Sequence, residues 1–304
     1  MKKLKLALDW TPNINHIGFF VALDMGFYEE QGLEVEIIDT SVDNYAVTPA
    51  KKVELGLVDF ALCPTESVIS YRTKEKPFPL IAIAALLQED LSAIVVKANQ
   101  GIASPKGLDG KLYSSYKARY EDGIVKEMIK NDGGKGIIDI SYPDKLGIWD
   151  TLLEDRADAT WIFLNWEGVA AGTSAHDLMY FKMHDYGIPY SYSPVLVANE
   201  TKIDDNLTAY RDFIAATKQG YLFSKENPEA AITILQKYVP ETDAHINLQQ
   251  ALALSAPYFG NEETWGFMRN LVIDNFISWI KEKELEASDI SADEIVTHVC
   301  LTKS

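Results

Sequence analysis

Four side chains that could contact a ligand follow the first predicted strand of the chain. Asp9 and Trp10 come at the end of the alternating segment 4–8, and Asn13 and His16 follow after a proline. Because ligands of α/β folds bind beyond the carboxyl ends of strands, we expect these side chains at a ligand site. The indole face of Trp10 is suited to stack on a flat ring, at about 1–3 kcal/mol.

Each of these side chains also has a structural interpretation. Trp10 could serve only to pack parts of the protein together, and His16 could hold the corner between strand and helix. Asp9 could orient His16 or Trp10 instead of touching a ligand. At this point both roles stay open for Trp10, whereas a histidine without partners is more often structural.

A carboxylate follows an apolar strand in the middle of the chain. Residues 157–165 predict a strand, and Trp166 and Glu167 follow it. Glu167 is suited to accept a hydrogen bond from an exocyclic amine, a charged interaction of about 1.5–3 kcal/mol. Its alternative role is that of a carboxylate at a helix N-terminus, where the helix dipole favours it. The two roles are compatible.

The remaining candidates for ligand contact lie at a helix start and in two tyrosine-rich loops. They are Pro64, Glu66, Ser67, Tyr116 and Tyr190. For the polar pair at the helix start, helix capping is the alternative. For the tyrosines of loops 114–123 and 184–194, the alternative is a solvent-exposed side chain.

Strands and helices alternate over the first 200 residues, and helices dominate the remainder. The predicted strands are 4–8, 33–38, 58–62, 80–87, 92–97, 111–114, 137–142, 157–165, 178–182 and 195–199. The predicted helices are 16–25, 49–55, 65–72, 121–131, 144–154, 168–172, 207–224, 228–238, 246–256 and 265–283. Asn15 and Thr65 are the predicted N-caps of the first and third helices. Residues 291–294 resemble a capping box.

This order predicts an α/β fold with two lobes joined by two crossings. Lobe one comprises residues 1–95 plus 196–304, lobe two comprises 96–195, and the hinges lie near 95–97 and 195–198. Each lobe is expected to hold a mixed sheet flanked by helices. We expect the ligand in the cleft between the lobes, where hinge closure would bury it.

Composition excludes some classes of partner. The formal net charge of −17 argues against nucleic acid and anionic membranes, because phosphate contacts need clustered Lys and Arg. The two cysteines, Cys63 and Cys300, are expected to be reduced thiols. The five histidines, His176 among them, show no metal-ligand spacing, so we predict no metal site.

The N-terminal sequence does not decide in which cellular compartment the protein resides. Residues 1–3 lead directly into the first strand without an apolar segment of a signal peptide. We therefore expect either a cytoplasmic protein or a periplasmic or membrane-anchored one whose leader was removed. No apolar segment approaches the roughly 20 residues of a membrane span.

Several segments resemble one known family. LDWTPNINHIGFFVALDMGFYEEQGLEVEI, residues 8–37, resembles the opening of NMT1/THI5-like type II periplasmic solute-binding proteins. It is most similar to thiamine-pyrimidine binding components of ABC transporters, where D-W-x-P-N-x-N-H-x-G is typical. The resemblance continues in VELGLVDFAL at 53–62, in WIFLNWEGVAA at 161–171 and in residues 185–200.

The resemblance implies a two-lobed, non-catalytic binding protein without a cofactor. Its ligand would be a thiamine-precursor pyrimidine or similar planar heterocycle, and its partner an ABC permease. We expect a monomer. The alternatives are a cytoplasmic enzyme related to the family's pyrimidine synthase, or a ligand sensor on the same fold.

The synthase is disfavoured by what stands at its functional positions. Its chemistry requires a lysine for pyridoxal phosphate, a donor histidine and a cysteine-rich iron motif. Aligning VDFALCPTES places Cys63 and Ser67 at the lysine and histidine positions, and the chain has only two cysteines. SSYKARYEDG, residues 114–123, replaces the family's glycine-rich phosphate loop.

Overall fold

The computed structural model describes residues 1–173 and 177–301, with Thr173 described for its backbone only. Within these residues ten strands form two five-stranded sheets. The strands are β1 Lys2–Ala7, β2 Leu33–Ile38, β3 Phe60–Cys63, β4 Leu80–Ala85, β5 Ser92–Lys97, β6 Leu112–Ser114, β7 Asp139–Ser141, β8 Ala159–Phe163, β9 Leu178–Phe181 and β10 Val195–Asn199.

The α-helices cover the sheets and make up most of the C-terminal third. They are α1 Ile17–Asp24, α2 Phe27–Glu30, α3 Pro49–Glu54, α4 Thr65–Thr73, α5 Glu121–Asn131, α6 Ile148–Leu153, α7 Glu167–Thr173, α8 Ile203–Glu226, α9 Pro228–Leu235, α10 Leu248–Ser255, α11 Asn270–Glu282 and α12 Ala292–Ile295. Across the described ranges, none of these helices is long and apolar enough to cross a bilayer.

The chain divides into two compact units. Unit 1 comprises Met1–Asp90, Ser191–Asp274 and the chain from Ile290 onward, and unit 2 comprises Leu91–Tyr190 and Asn275–Asp289. These boundaries differ from the predicted ones by about five residues at each crossing, and they assign 275–289 to unit 2 instead of to the first lobe. The predicted cleft and hinges stay a prediction.

The sheet of unit 1 has the order β2-β1-β3-β10-β4. β1 is parallel to both β2 and β3, whereas β10 runs antiparallel between β3 and β4. Ala7 pairs with Ile38 on one side and with Ala61 on the other. The loops that follow β1, β2 and β3 therefore start at the same edge of the sheet.

Helices α1 and α8 pack in backbone contact on this sheet. A Cβ atom on Gly220 would lie 2.0 Å from the carbonyl oxygen of Gly18, so only glycine fits at this crossing. Below the helices the rings of Phe60 and Phe213 stack at 4.3 Å, and Tyr28 stacks on Phe213 at 5.3 Å. This aromatic layer anchors α8 to β3.

The sheet of unit 2 has the order β7-β6-β8-β5-β9. β6 is parallel to β7 and β8, whereas β5 is antiparallel to β8 and β9. Val95, Leu152 and Ile162 form a core cluster in which α6 covers β5 and β8. Each unit thus holds one mixed sheet flanked by helices, which confirms the predicted α/β fold class.

Three local predictions are wrong. The helix predicted over 265–283 begins only at Asn270, because the preceding residues turn at Gly260 and Gly266, whose φ angles are +78° and +79°. The first N-cap is Asn13, whose side chain accepts from the Asn15 N–H at 2.9 Å. The N-cap of α4 is Pro64, and its helix starts with Thr65.

Candidate ligand-binding site

The loop after β1 is organised by its own side chains. Asn13 caps a short 3-10 turn, Ile14–His16, and the ring Nδ1 of His16 accepts the Asn13 N–H at 3.2 Å. This reciprocal arrangement is a capping box, which satisfies the backbone N–H groups at the start of the turn. The Asn-Ile-Asn-His segment therefore forms a rigid corner that leads directly into α1.

Asp9 and His16 form a hydrogen-bonded pair across this corner. His16 Nε2 lies 2.8 Å from Asp9 Oδ1, and the His16 side chain is fully buried. Because Nδ1 accepts from Asn13, the proton of a neutral ring resides on Nε2, which donates to Asp9. His16 therefore orients Asp9, and the half-buried Asp9 and Trp10 are the groups this loop can offer a ligand.

Tyr45 is a further candidate residue that no sequence pattern indicates. Its ring centroid lies 5.9 Å from that of Trp10, with the planes tilted by 57°. Asn44 and Tyr45 both adopt positive φ, at 50° and 60°, a conformation that non-glycine residues rarely hold and that is frequent at functional sites. Burial, Asp9 and Cys63 raise the pKa of the Tyr45 phenol, which therefore stays protonated.

The start of α4 lies at the same edge of the sheet. Thr65 donates to the carbonyl of Tyr192 twice, from its N–H at 3.0 Å and from its hydroxyl at 2.6 Å. Glu66 is buried, whereas Pro64 and Ser67 are half-buried. Burial raises the pKa of the Cys63 thiol, and the negative charges of Asp9 and Glu66 raise it further. Asp9, Tyr45, Cys63 and Glu66 thus form one electrostatically coupled cluster.

In unit 2, the second candidate carboxylate lies between a strand and a helix. Glu167 is the first residue of α7, and its Oε2 accepts the Phe163 N–H at 3.0 Å from the end of β8. Its neighbour Trp166 is 3% exposed, so this indole packs in the interior of the protein. The half-buried Glu167 keeps both roles that the sequence left open.

The two tyrosine candidates have different surroundings. Tyr190 packs edge-on against Trp161 at 5.1 Å and against Phe276 at 5.4 Å. Tyr116 lies in the loop after β6, where its N–H donates to Glu121 Oε1 at 3.0 Å. Unit 1 therefore brings its six candidates to one sheet edge, and unit 2 places Tyr116, Trp166 and Glu167 at the ends of two neighbouring parallel strands.

Metal binding has no support in the described part of the chain. Over residues 1–173 and 177–301, no group of three or more His, Cys, Asp or Glu side chains could hold a metal ion. His176, which the metal prediction includes, lies outside these residues. The absence of a metal stays a prediction.

The fold is that of periplasmic binding proteins. It matches the periplasmic aliphatic sulphonate binding protein SsuA from Escherichia coli with a TM-score of 0.70, at 13% identity, over 99% of this chain and 100% of that one. Residues 13–231 match the NMT1/THI5 like family. The chain therefore belongs to this family, which confirms the resemblance drawn from its sequence.

Two relatives of this chain carry names that describe different activities. The formylaminopyrimidine-binding protein of Halalkalibacterium halodurans is 25% identical over 98% of this chain and 91% of that protein. The 4-amino-5-hydroxymethyl-2-methylpyrimidine phosphate synthase of Legionella pneumophila is 23% identical over 84% of this chain and 80% of the enzyme. Relatives of this chain thus include both a protein named for binding a pyrimidine and an enzyme named for synthesising one.

Proposed function

We propose that this protein binds a thiamine-precursor pyrimidine, or a similar flat heterocycle, without converting it chemically. The observation that carries the proposal is the loop after β1, where Trp10 offers a ring face beside a carboxylate that His16 orients at 2.8 Å. The formylaminopyrimidine-binding relative, which matches nearly the whole chain, supports the same class of ligand.

The chemistry of the site fits an aminopyrimidine. Such a ring offers a flat face for the indole of Trp10, which Tyr45 supports from the side, and an exocyclic amine that donates to a carboxylate such as the adjacent Asp9. Stacking contributes about 1–3 kcal/mol and a charged hydrogen bond about 1.5–3 kcal/mol. Together these two interactions supply about 2.5–6 kcal/mol, so a dissociation constant of about 1 μM, equivalent to about −8 kcal/mol, requires further contacts to the ligand.

The residues at two positions near the end of β3 argue against the synthase activity. Cys63 and Ser67 stand where the synthases are expected to carry their lysine and histidine, and a thiol cannot form the imine that a lysine amine forms. The raised pKa of Cys63 also keeps that thiol protonated. We infer a binding role, and addition of pyridoxal phosphate should produce no absorbance band of a protein-bound imine that is lost on replacing a single lysine.

A role in transport would give the protein a membrane partner and an extracytoplasmic location. SsuA of Escherichia coli is a periplasmic binding protein, and its fold matches nearly all of this chain. We propose that this protein is the extracytoplasmic substrate-binding component of an ABC uptake system and delivers its ligand, as a monomer, to a membrane permease.

Calorimetric titration tests the binding role. Wild-type protein and the variants Trp10→Ala and Trp10→Phe are titrated with 4-amino-5-hydroxymethyl-2-methylpyrimidine and with formylaminopyrimidine. We expect Trp10→Ala to weaken binding by about 5- to 150-fold, and Trp10→Phe to weaken it less because a ring face remains. Absence of binding to the wild type, or equal affinity in all three proteins, would contradict the proposal.

A further inference from the structure

The loop after β2 is tied to helix α3 by an ion pair that is largely shielded from solvent. Lys52 of α3 is 6% exposed, and its Nζ lies 3.0 Å from Asp43 Oδ2. Asp43 is the last residue of the 3-10 turn Thr40–Asp43, which follows β2 and leads directly to Asn44 and Tyr45. The ion pair therefore connects α3 to the segment that carries the Tyr45 ring.

Helix α3 is a fixed point of attachment within unit 1. It packs on β3, β4 and β10 of the sheet, and its residues Ala50 and Val53 are buried in the core. The Lys52 N–H donates to the carbonyl of Thr48 at 3.0 Å, and the Lys52 carbonyl accepts the Leu57 N–H at 2.9 Å. The position of the Lys52 backbone is thus set by the sheet and does not depend on the loop.

The backbone after Asp43 needs such an attachment because it is strained. Asn44 and Tyr45 both hold positive φ, at 50° and 60°. Asparagine adopts this conformation readily, whereas the Cβ of a tyrosine crowds the backbone there. The Tyr45 N–H donates to the carbonyl of the fully buried Thr40 at 2.9 Å. A strained conformation of this kind persists only where surrounding contacts hold it in place.

Lys52 supplies the charged contact that keeps Asp43 in place. Within residues 1–173 and 177–301, Asp43 Oδ1 is buried without a hydrogen-bond partner, so the carboxylate is compensated through Oδ2 and Lys52. Removal of Lys52 would leave a partly buried charge uncompensated, which is relieved when the carboxylate turns towards solvent. The Asp43 carbonyl also accepts the Ala46 N–H at 3.0 Å, so a movement of Asp43 would displace Tyr45 as well.

We propose that Lys52 is a positioning residue for ligand binding, which through Asp43 holds the ring of Tyr45 beside Trp10 before a ligand arrives. The two ring centroids lie 5.9 Å apart. A ring that is already in place spares the ligand the free-energy cost of ordering it, and this raises affinity. The inference rests on the proposed function, because it concerns the same face of Trp10, and it adds a residue that acts through another side chain.

The test compares Lys52→Met, which keeps an unbranched side chain but removes the charge, with Lys52→Arg, which keeps the charge. A matched control is Lys51→Met, the same change one residue earlier in α3, where the lysine is 45% exposed and pairs with Glu54 at 2.7 Å. Asp43→Asn removes the charge of the other partner with little change in shape. It carries the test if Lys52→Met does not fold.

The first measurement needs no ligand. Each protein is labelled with 5-fluorotryptophan, and the fluorine NMR resonance of Trp10, one of six tryptophans, is identified by its absence from Trp10→Phe. We expect Lys52→Met and Asp43→Asn to shift this resonance towards its position in Tyr45→Ala, because the neighbouring ring is displaced. Lys52→Arg and Lys51→Met should leave it at the wild-type position. An unshifted Trp10 resonance in Lys52→Met and Asp43→Asn would overturn the inference.

The second measurement is calorimetric titration with 4-amino-5-hydroxymethyl-2-methylpyrimidine. We expect Lys52→Met to weaken binding by about 2- to 12-fold, the value of an aromatic pair, and Lys52→Arg to bind like the wild type. In a Tyr45→Ala background Lys52→Met should cause no further loss, because Lys52 acts through Tyr45.

An equal loss in both backgrounds would show a general structural role and overturn the inference. If the wild type binds no pyrimidine, the proposed function fails, and the fluorine resonance of Trp10 alone decides the role of Lys52.

Discussion

His16 Nε2 lies 2.8 Å from Asp9 Oδ1, at a corner where the imidazole is entirely buried and the carboxylate is 19% exposed. The opposite ring nitrogen accepts the Asn13 N–H, so the tautomer of His16 and the orientation of Asp9 are set together. His16 thus acts in this loop through the carboxylate that it orients.

Replacing His16 should weaken both the fold and ligand binding. His16→Ala leaves the Asn13 N–H and the Asp9 carboxylate without their partner, which we expect to cost about 1–3 kcal/mol of unfolding free energy. Urea denaturation measures this loss, and calorimetry should show weaker pyrimidine binding. His16→Gln should recover part of the affinity, and His245→Ala, at an exposed histidine, should change neither quantity. Full affinity in His16→Ala would show that Asp9 needs no orientation.

Tyr45 should contribute to affinity through its ring. Tyr45→Ala removes the partner of Trp10, and we expect weaker pyrimidine binding by about 0.5–1.5 kcal/mol, the value of an aromatic pair. Tyr45→Phe keeps the ring and removes only the phenolic hydroxyl, so it separates stacking from hydrogen bonding. Calorimetric titration of both variants measures the two contributions. Unchanged affinity in Tyr45→Ala would exclude Tyr45 from the site.

The crossing of α1 and α8 should tolerate no side chain. In Gly220→Ala the new Cβ would lie 2.0 Å from the Gly18 carbonyl oxygen, and we expect a loss of about 3 kcal/mol or more. Thermal and urea unfolding measure it. Gly172→Ala is the control, because open space surrounds this helical glycine and alanine should gain up to about 1 kcal/mol. Equal stability of both variants would contradict the packing.

Stability should decrease at alkaline pH in a way that depends on Cys300. Burial raises the pKa of this thiol from its ordinary 9.0 to about 11. Between these values the unfolded chain has lost a proton that the folded chain retains, so the unfolding free energy falls as pH rises, by up to about 1.4 kcal/mol per pH unit. Burial also raises the pKa of Tyr28 and Tyr210, which extends the decrease above pH 10.

Urea denaturation at several pH values between 8 and 11 checks this dependence. Cys300→Ala should lower the free energy of unfolding below pH 9 and make its decrease between pH 9 and 11 less steep than in the wild type, because one titrating group is absent. Parallel curves for wild type and variant would show that Cys300 titrates alike in the folded and unfolded chains.

Elements whose apolar pattern is local were predicted close to their observed bounds. β2 was predicted over 33–38 and α5 over 121–131, and both were confirmed at these residues. The predicted start of α11 was wrong because Gly266 is hydrogen-bonded to a distant strand. Its carbonyl accepts the Ala85 N–H at 2.9 Å. Thr65 was wrong as an N-cap for a similar reason, since its hydroxyl donates to Tyr192.

The sequence predicts the candidate side chains of each unit only in part. The β1 loop and the Trp166-Glu167 turn could be proposed as ligand-contacting segments because chemistry-bearing residues follow strand patterns directly. Tyr45 could not, since the Asp-Asn pair before it indicates only a turn, and nothing local shows that the chain returns to Trp10. Glu121 was predicted only as a residue of helix α5. Its carboxylate accepts the N–H groups of Tyr116 and Ala118 in the preceding loop, and no spacing in the sequence reveals these contacts.

By itself, the sequence determined the α/β alternation, the family and the residue types available for chemistry. These follow from periodicity, from the Asp-Trp-Thr-Pro-Asn-Ile-Asn-His motif, and from Cys63 and Ser67 at the positions of the synthase lysine and histidine. Only the tertiary structure decided that His16 is buried against Asp9, that Tyr45 packs on Trp10, and that Glu121 occupies its own loop. Such contacts depend on strand register and on buried hydrogen bonds, which join residues that no local pattern relates.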